Sequence, residues 1–288
     1  MFTIRNYVVA ESLEQAYELN QKKNNVVLGG IGWLKMGGRN IQTAIDLSAL
    51  GLDKIEEDEE CFKIGCMCTL RQLETNESLN SYFDGIIAKS VIHIVGVQFR
   101  NCATIGGSVY SRFGFSDILT ALLSLETYVE LFNGGIIPLS EYRDMPYDND
   151  ILVRIIIKKD NRKTAYLTHR NSATDIPTLA VAVSKIENRW RIIVGARPQK
   201  AVVIDCNKFL SEKTTEKEKD NLIDYLLNNS KSERYILRKV KDDFIDSILN
   251  NIEFQSNMRG SKEFRKLLAK ALINRAIDEI SGGTYDGN

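Results

Sequence analysis

Apolar residues along the chain follow two spacings, and each change of spacing marks an element. Leu13, Ala16 and Tyr17 share one helical face, and Ser12 followed by Gln15 has capping-box form, so a short helix opens there. Val26-Val27-Leu28 predicts a buried strand and Ile45-Asp46-Leu47 a second. Phe62 to Cys68 alternates as a strand with Cys66 and Cys68 on one face, and Thr69 with Gln72 is a second capping box opening a helix. A further helix is predicted around Tyr82 to Ile94. Ile118, Leu119, Leu122 and Leu123 predict another over Asp117 to Leu125.

Farther along, strands dominate and then give way to helices. Thr127 to Phe132 reads as a strand followed by Asn133-Gly134, a type I′ hairpin signal. The β-branched run Ile151 to Ile157 suits a central strand. Leu179 to Ile186 and Trp190 to Val194 flank a Glu187-Asn188-Arg189 turn. Ser261 to Ile280 predicts a final helix whose core stripe is Phe264, Leu267, Leu268, Ala271 and Leu272. The acidic run Glu56 to Glu60 reads as a solvated loop, and Ser211 to Asp220 as a charged surface segment. The polar link carrying His169, Arg170 and Asp175 marks the main domain boundary. The expected class is mixed α/β, without repeats or low-complexity tracts.

Composition narrows the function classes. At 288 residues and 43 % hydrophobic, the chain can bury one large core or two to three modest ones. Lys+Arg and Asp+Glu both total 38, so nothing favours nucleic acid or an anionic membrane. No apolar run reaches the length of a membrane span, and the N-terminus has no signal-peptide pattern, so a cytoplasmic location is expected. Five cysteines, an odd number, argue against a disulfide framework. Cys61, Cys66 and Cys68 have gaps of four and one residues, whereas a plant-type iron–sulfur cluster needs about four and two, so buried thiols are the favoured reading. His93 and His169 are too far apart in sequence to suggest a metal site, and no nucleophile–base pair stands out. No catalytic side chain is assigned, and a bound cofactor would have to carry any chemistry.

Two glycine-rich stretches are the candidates for holding one. Leu28-Gly29-Gly30-Ile31-Gly32-Trp33-Leu34 follows a predicted strand but lacks the third glycine of the Rossmann fingerprint, and no Walker A sequence occurs. Ala103-Thr104-Ile105-Gly106-Gly107-Ser108 packs two hydroxyls around paired glycines. It reads either as a β-hairpin with a Gly-Gly bulge or as a turn whose successive amides form an anion nest. Asp117, farther on, offers a carboxylate to ribose hydroxyls. Two such loops could grip one pyrophosphate from two sides.

These stretches resemble, in order and spacing, the FAD-binding medium subunits of molybdenum hydroxylases, the group that includes xanthine dehydrogenase, nicotinate dehydrogenase and aerobic carbon monoxide dehydrogenase. The first glycine loop is similar to that family's A-G-G-T-[DS]-L, and Ile64-Gly65-Cys66-Met67-Cys68-Thr69-Leu70 to its I-G-A-x-x-T-L. Gln98 to Ser108 resembles its Q-[IV]-R-N-x-A-T-[IL]-G-G-N, Ser116-Asp117 its S-D pair, and Met258-Arg259-Gly260-Ser261 its R-G-S segment. The resemblance implies an α/β fold with a two-subdomain FAD-binding region of the vanillyl-alcohol oxidase type and a C-terminal α/β domain. The expected divisions are 1–50, 51–170 and 171–288.

It further implies that Gly29 to Leu34 and Ala103 to Ser108 bind the FAD diphosphate. Asp117 would bind ribose or ribityl hydroxyls, and Leu152 would pack near the flavin or adenine; Tyr166 and Arg170 match less closely. The implied activity is electron transfer from [2Fe–2S] clusters in a small partner subunit through FAD to NAD+ or another acceptor. A large molybdopterin-binding subunit would oxidise the substrate, in a xanthine dehydrogenase-like complex. Ile31, Gly32, Ser108 and Gly114 depart from the family pattern, and the Ile31 and Gly32 changes support an alternative, a non-catalytic, degenerate flavoprotein-like scaffold.

Overall fold

A computed structural model describes residues 2–207 and 234–282; the segment Ser211 to Asp220 lies outside them. The chain divides into two compact units. The first comprises Met1–Leu79, Ile94–Arg112 and Glu126–Lys159, and the second Asn80–His93, Phe113–Leu125 and Asp160–Asn288.

The first unit holds two sheets. β1 (Thr3–Val9), β2 (Asn25–Leu28) and β3 (Asn40–Asp46) form a parallel sheet in the order β1-β3-β2, with α1 (Leu13–Asn20) as one crossover. Ser12 caps α1 by accepting from the Gln15 amide, while the Gln15 side chain accepts from Glu11 rather than from Ser12. Only the central β3 buries its apolar residues fully, at Ile41, Ala44 and Ile45. β2 is half-buried along its length, not buried as predicted, because it lies at the sheet edge.

The second sheet is antiparallel, in the order β4-β5-β8-β6-β7. Its strands are β4 (Ile55–Glu57), β5 (Cys61–Gly65), β6 (Thr127–Leu131), β7 (Gly135–Pro138) and β8 (Leu152–Lys158). The β-branched β8 takes the centre, as its sequence requires, with Val153, Ile155 and Ile157 buried. Three expectations are corrected here. The acidic run is not all loop, since Glu56 and Glu57 pair with β5. β5 stops at Gly65, so Cys66 and Cys68 do not alternate in a strand; both are buried in the turn that follows, where burial pushes each thiol up to about 12. The β6–β7 connection is no type I′ turn: Leu131 faces Gly135, which alone there has positive φ, and the Asp150 carboxylate accepts from the Asn133 and Gly134 amides.

Helices α2 (Leu70–Thr75), α5 (Val97–Arg100), α6 (Ile105–Tyr110) and α8 (Leu139–Tyr142) complete this unit, and α3 (Glu77–Tyr82) runs across its boundary. The capping box at Thr69 and Gln72 is complete in both directions.

In the second unit, β9 (Lys163–His169), β10 (Leu179–Ile186), β11 (Arg189–Gly195) and β12 (Val202–Asp205) form an antiparallel sheet in sequence order. With them are α4 (Ile86–Val91), α7 (Asp117–Ser124), α9 (Arg234–Leu249) and α10 (Lys262–Ile280). The helix predicted over Tyr82 to Ile94 is thus broken into the end of α3 and the short α4, with Asp84 and Gly85 at positive φ between them. Val181, Val183, Ile192 and Val194 of the sheet share one core with Ile245, Ala269, Ile273, Ala276 and Ile277. The stripe predicted for α10 is also corrected. Leu267 is 69 % and Phe264 41 % exposed, and the helix is rotated so that Arg265, Ala269, Leu272, Ile273, Ala276 and Ile277 face inward.

Candidate functional site

The first glycine loop leaves the carboxyl end of β2, where a parallel sheet directs ligands. The amides of Gly29, Gly30, Ile31 and Gly32 donate to no acceptor among the described residues. Ile31 reaches this conformation at φ +48, unusual for a β-branched residue, so its departure from the family pattern carries backbone strain. Trp33 stands half exposed ahead of a single 3-10 turn that begins at Leu34.

The second glycine stretch is neither a hairpin nor an open nest. Thr104 caps α6, its hydroxyl accepting from the Gly107 amide at 3.2 Å. The Ile105 and Gly106 amides donate to the carbonyls of Cys68 and Cys66, each at 2.9 Å. The Ser108 hydroxyl turns back onto the Thr104 carbonyl at 3.0 Å. The paired glycines therefore serve close packing: a Cβ on Gly106 would stand 2.5 Å from the Cys66 oxygen.

The two stretches are pressed against each other. A Cβ on Gly30 would overlap the Cys102 carbonyl and lie 2.5 Å from the Ala103 Cα, and one on Gly29 would lie 2.8 Å from the Thr104 hydroxyl. A Cβ on Gly32 would meet the Phe99 ring at 2.8 Å. Beside this contact lies a cavity of about 210 Å³ within the first unit. Leu28, Gly29, Thr104, Gly106, Gly107 and Leu152, all named from sequence, line it. Gly30, Ile31, Gly32, Trp33, Leu34, Ala103 and Ser108 are not among its walls.

The cavity also has walls that sequence reasoning missed: Asn25, Arg39, Tyr110 and Asp150 among them. They belong to no glycine-rich signal, and only the path of β2, α6 and the chain before β8 brings them together. The Arg39 guanidinium has no ion-pair or hydrogen-bond partner among the described residues. The Asp150 carboxylate is committed to the amides of Asn133, Gly134 and Ile151.

Asp117 belongs to the second unit, in the first turn of α7. Its Oδ1 accepts from the Tyr166 hydroxyl at 2.6 Å and from the Arg170 guanidinium. Burial pushes the carboxyl up to about 6, outweighing the opposing pull of Arg170 and Tyr166. In the same unit, Gly114 has a packing reason for its identity, since any Cβ there would overlap the Gln199 carbonyl.

Residues 2–159 match the family described as FAD binding domain in molybdopterin dehydrogenase. The chain is 27 % identical over 187 residues to the uncharacterized protein YgfM of Escherichia coli K12, covering 63 % of this chain and 70 % of that one. It is 26 % identical over 131 residues to the 6-hydroxypseudooxynicotine dehydrogenase complex subunit alpha of Paenarthrobacter nicotinovorans, covering 43 % and 44 %. Its fold is similar to a chain of quinoline 2-oxidoreductase from Pseudomonas putida 86, with a TM-score of 0.78 at 18 % identity over 97 % and 98 % of the two chains. A chain of the reconstituted CO dehydrogenase from Oligotropha carboxidovorans gives 0.78 at 18 % identity over 98 % and 99 %. No helix among the described residues is long and apolar enough to cross a membrane.

Proposed function

Because the chain belongs to the family of FAD-binding domains of molybdopterin dehydrogenases, we propose that it is the electron-transferring flavoprotein subunit of a molybdenum hydroxylase. The observation that carries this reading is the contact of the two glycine stretches, which leaves four adjacent amides without acceptors beside a cavity. That donor set suits a diphosphate, whose oxygens accept from successive backbone N–H groups. Bound FAD supplies reversible uptake and release of electrons; the protein binds and orients it.

In this reading Gly29, Gly30, Ile31 and Gly32 hold the diphosphate through their amides, so Ile31 and Gly32 serve without side-chain donors. Thr104, Gly106 and Gly107 form the opposing wall, and Ala103 and Ser108 keep that wall in place through backbone bonds. Leu28 and Leu152 give apolar walls to the nucleoside half, with Trp33 and Leu34 bounding the loop. For Asp117, the resemblance points to ribose or ribityl hydroxyls. A carboxylate oriented by Tyr166 and Arg170 is suited to accept from them.

The partners proposed are a molybdopterin-binding large subunit and a small subunit with [2Fe–2S] clusters, in a xanthine dehydrogenase-like complex whose acceptor is NAD+ or another oxidant. A relative whose name makes it one subunit of a dehydrogenase complex supports a multi-subunit assembly. The test is the visible spectrum of the purified chain after incubation with FAD or FMN and removal of excess. Flavin absorbance retained from FAD alone is the expected result. A folded, colourless chain that still assembles with partner subunits would favour the scaffold reading.

A further inference from the structure

Two stretches that stand out in the sequence take no part in the cavity: the polar link with His169, Arg170 and Asp175, and Met258-Arg259-Gly260-Ser261. They meet in the second unit. The antiparallel pairing of β9 with β10 closes the link, with the Thr178 amide donating to the His169 carbonyl at 2.8 Å. Asn257 and Gly260 exchange backbone bonds around Met258 and Arg259, and Asn257 Oδ1 accepts from the Arg259 amide at 2.9 Å. So presented, the Arg259 side chain reaches the link, donating to the Asp175 carboxylate through Nη2 at 2.9 Å and Nε at 3.3 Å.

The charges then alternate inward. Arg170 Nη1 donates to the Asp175 carbonyl at 2.5 Å, and its Nη2 donates to Asp117 Oδ1. Arg170 and Asp117 are buried, whereas Arg259 and Asp175 are partly exposed. Arg170 thus stands between two carboxylates. The Arg259 bond holds the Asp175 carboxyl below its usual range, and the nearby Arg170 charge adds to this. Arg170 Nε is buried and has no acceptor among the described residues. A guanidinium with an unmet N–H gains by turning to a free carboxylate, and Asp175 would be one if Arg259 did not occupy it.

Resting on the reading that Asp117 accepts from FAD hydroxyls, we propose that Arg259 is a positioning residue for that site. By holding the Asp175 carboxylate it leaves Arg170 to Asp117, and so keeps Asp117 an oriented carboxylate. Tyr166 and Arg170 are the titratable and charged groups at Asp117. Lys185 of β10 and Arg189 and Arg191 of β11 lie by the opposite end of α7, where Ser184 bonds the Ser124 carbonyl and Arg191 that of Leu125. Lys89 of α4 pairs with Glu279.

The experiment is a pH titration of the side-chain carboxyl carbons by NMR on the full-length chain, with Asp117→Asn identifying the Asp117 signal. The wild-type midpoint is expected at about 6. Arg259→Met should raise it by about one to three units, because Arg170 turns to Asp175. Adding Asp175→Asn to Arg259→Met removes the competing carboxylate and should bring the midpoint back to within about half a unit of the wild type. A merely structural role for Arg259 would leave the double variant as displaced as the single one. A midpoint unmoved in Arg259→Met, or displaced equally in the double variant, would overturn the inference. FAD titration at pH 7 on the same samples tests the reading beneath it: affinity should fall about tenfold for a two-unit rise and recover in the double variant. FAD affinity unchanged by a moved midpoint would remove Asp117 from the FAD site while supporting its positioning by Arg259.

Discussion

At the scale of single residues, the proposed diphosphate site would rest on backbone more than on side chains. Ile31 has an amide without an acceptor among the described residues, at a φ that disfavours its own side chain. Ile31→Gly should therefore stabilise the chain by roughly 1 kcal/mol without weakening FAD binding, which denaturant titration and flavin titration would measure. A marked loss of FAD affinity would show instead that the side chain takes part. Asp117 gives a pH prediction. Its folded value of about 6 lies above the unfolded value near ~3.9, so the folded state holds the extra proton between those limits. Wild-type stability from this group is then greatest at about pH 4 and declines as pH rises to about 6. Asp117→Asn lacks that slope, and the two stability profiles should diverge by on the order of 2 kcal/mol across the window. Parallel profiles in denaturation at pH 4 and pH 7 would refute the assignment.

At the scale of elements, two contacts fix the geometry. The first glycine loop can lie against the second stretch only while position 30 has no side chain, because the obstacle is the Cys102 and Ala103 backbone rather than a movable group. Gly30→Ala should cost about 1–3 kcal/mol and most of the retained flavin, read from the melting midpoint and from absorbance. The second contact pins the start of α10. Arg265 is fully buried and donates to the carbonyls of Thr178, Gln255 and Gly260 and to the Asn257 side chain. Arg265→Met leaves those acceptors buried and unpaired, a loss of at least about 3 kcal/mol by chemical denaturation. The same contact explains why the sequence stripe failed. Helix α10 carries two apolar stripes, and the face with Ala269 and Ala276 lets its backbone come closer to the sheet.

At the scale of the whole chain, binding couples to stability by mass action. Free FAD at 100 times its dissociation constant should stabilise the folded chain by about 2.7 kcal/mol. That is a rise in melting midpoint of several degrees, roughly, visible by scanning fluorimetry, and FMN at the same concentration should give little. An equal response to both flavins would mean that the glycine stretches do not hold a diphosphate.

The sequence by itself determined the mixed α/β class, most of the strands, the N-caps at Ser12 and Thr69, the capping box closed by Gln72 and the two glycine stretches, because each rests on neighbours within a few positions. Periodicity, capping and turn chemistry are local, and so is the family's ordered set of short motifs. Tertiary structure decided what those stretches do. Whether Thr104 to Ser108 forms a hairpin or a capped helix depended on the Cys66 and Cys68 carbonyls, which claim the amides of Ile105 and Gly106. Which stripe of α10 faces inward depended on the sheet it meets. Asn25, Arg39 and Tyr110 share a cavity only because parallel strand register carries the far end of β2 alongside α6. No spacing along the chain encodes that meeting, since it is produced by packing between segments distant in sequence.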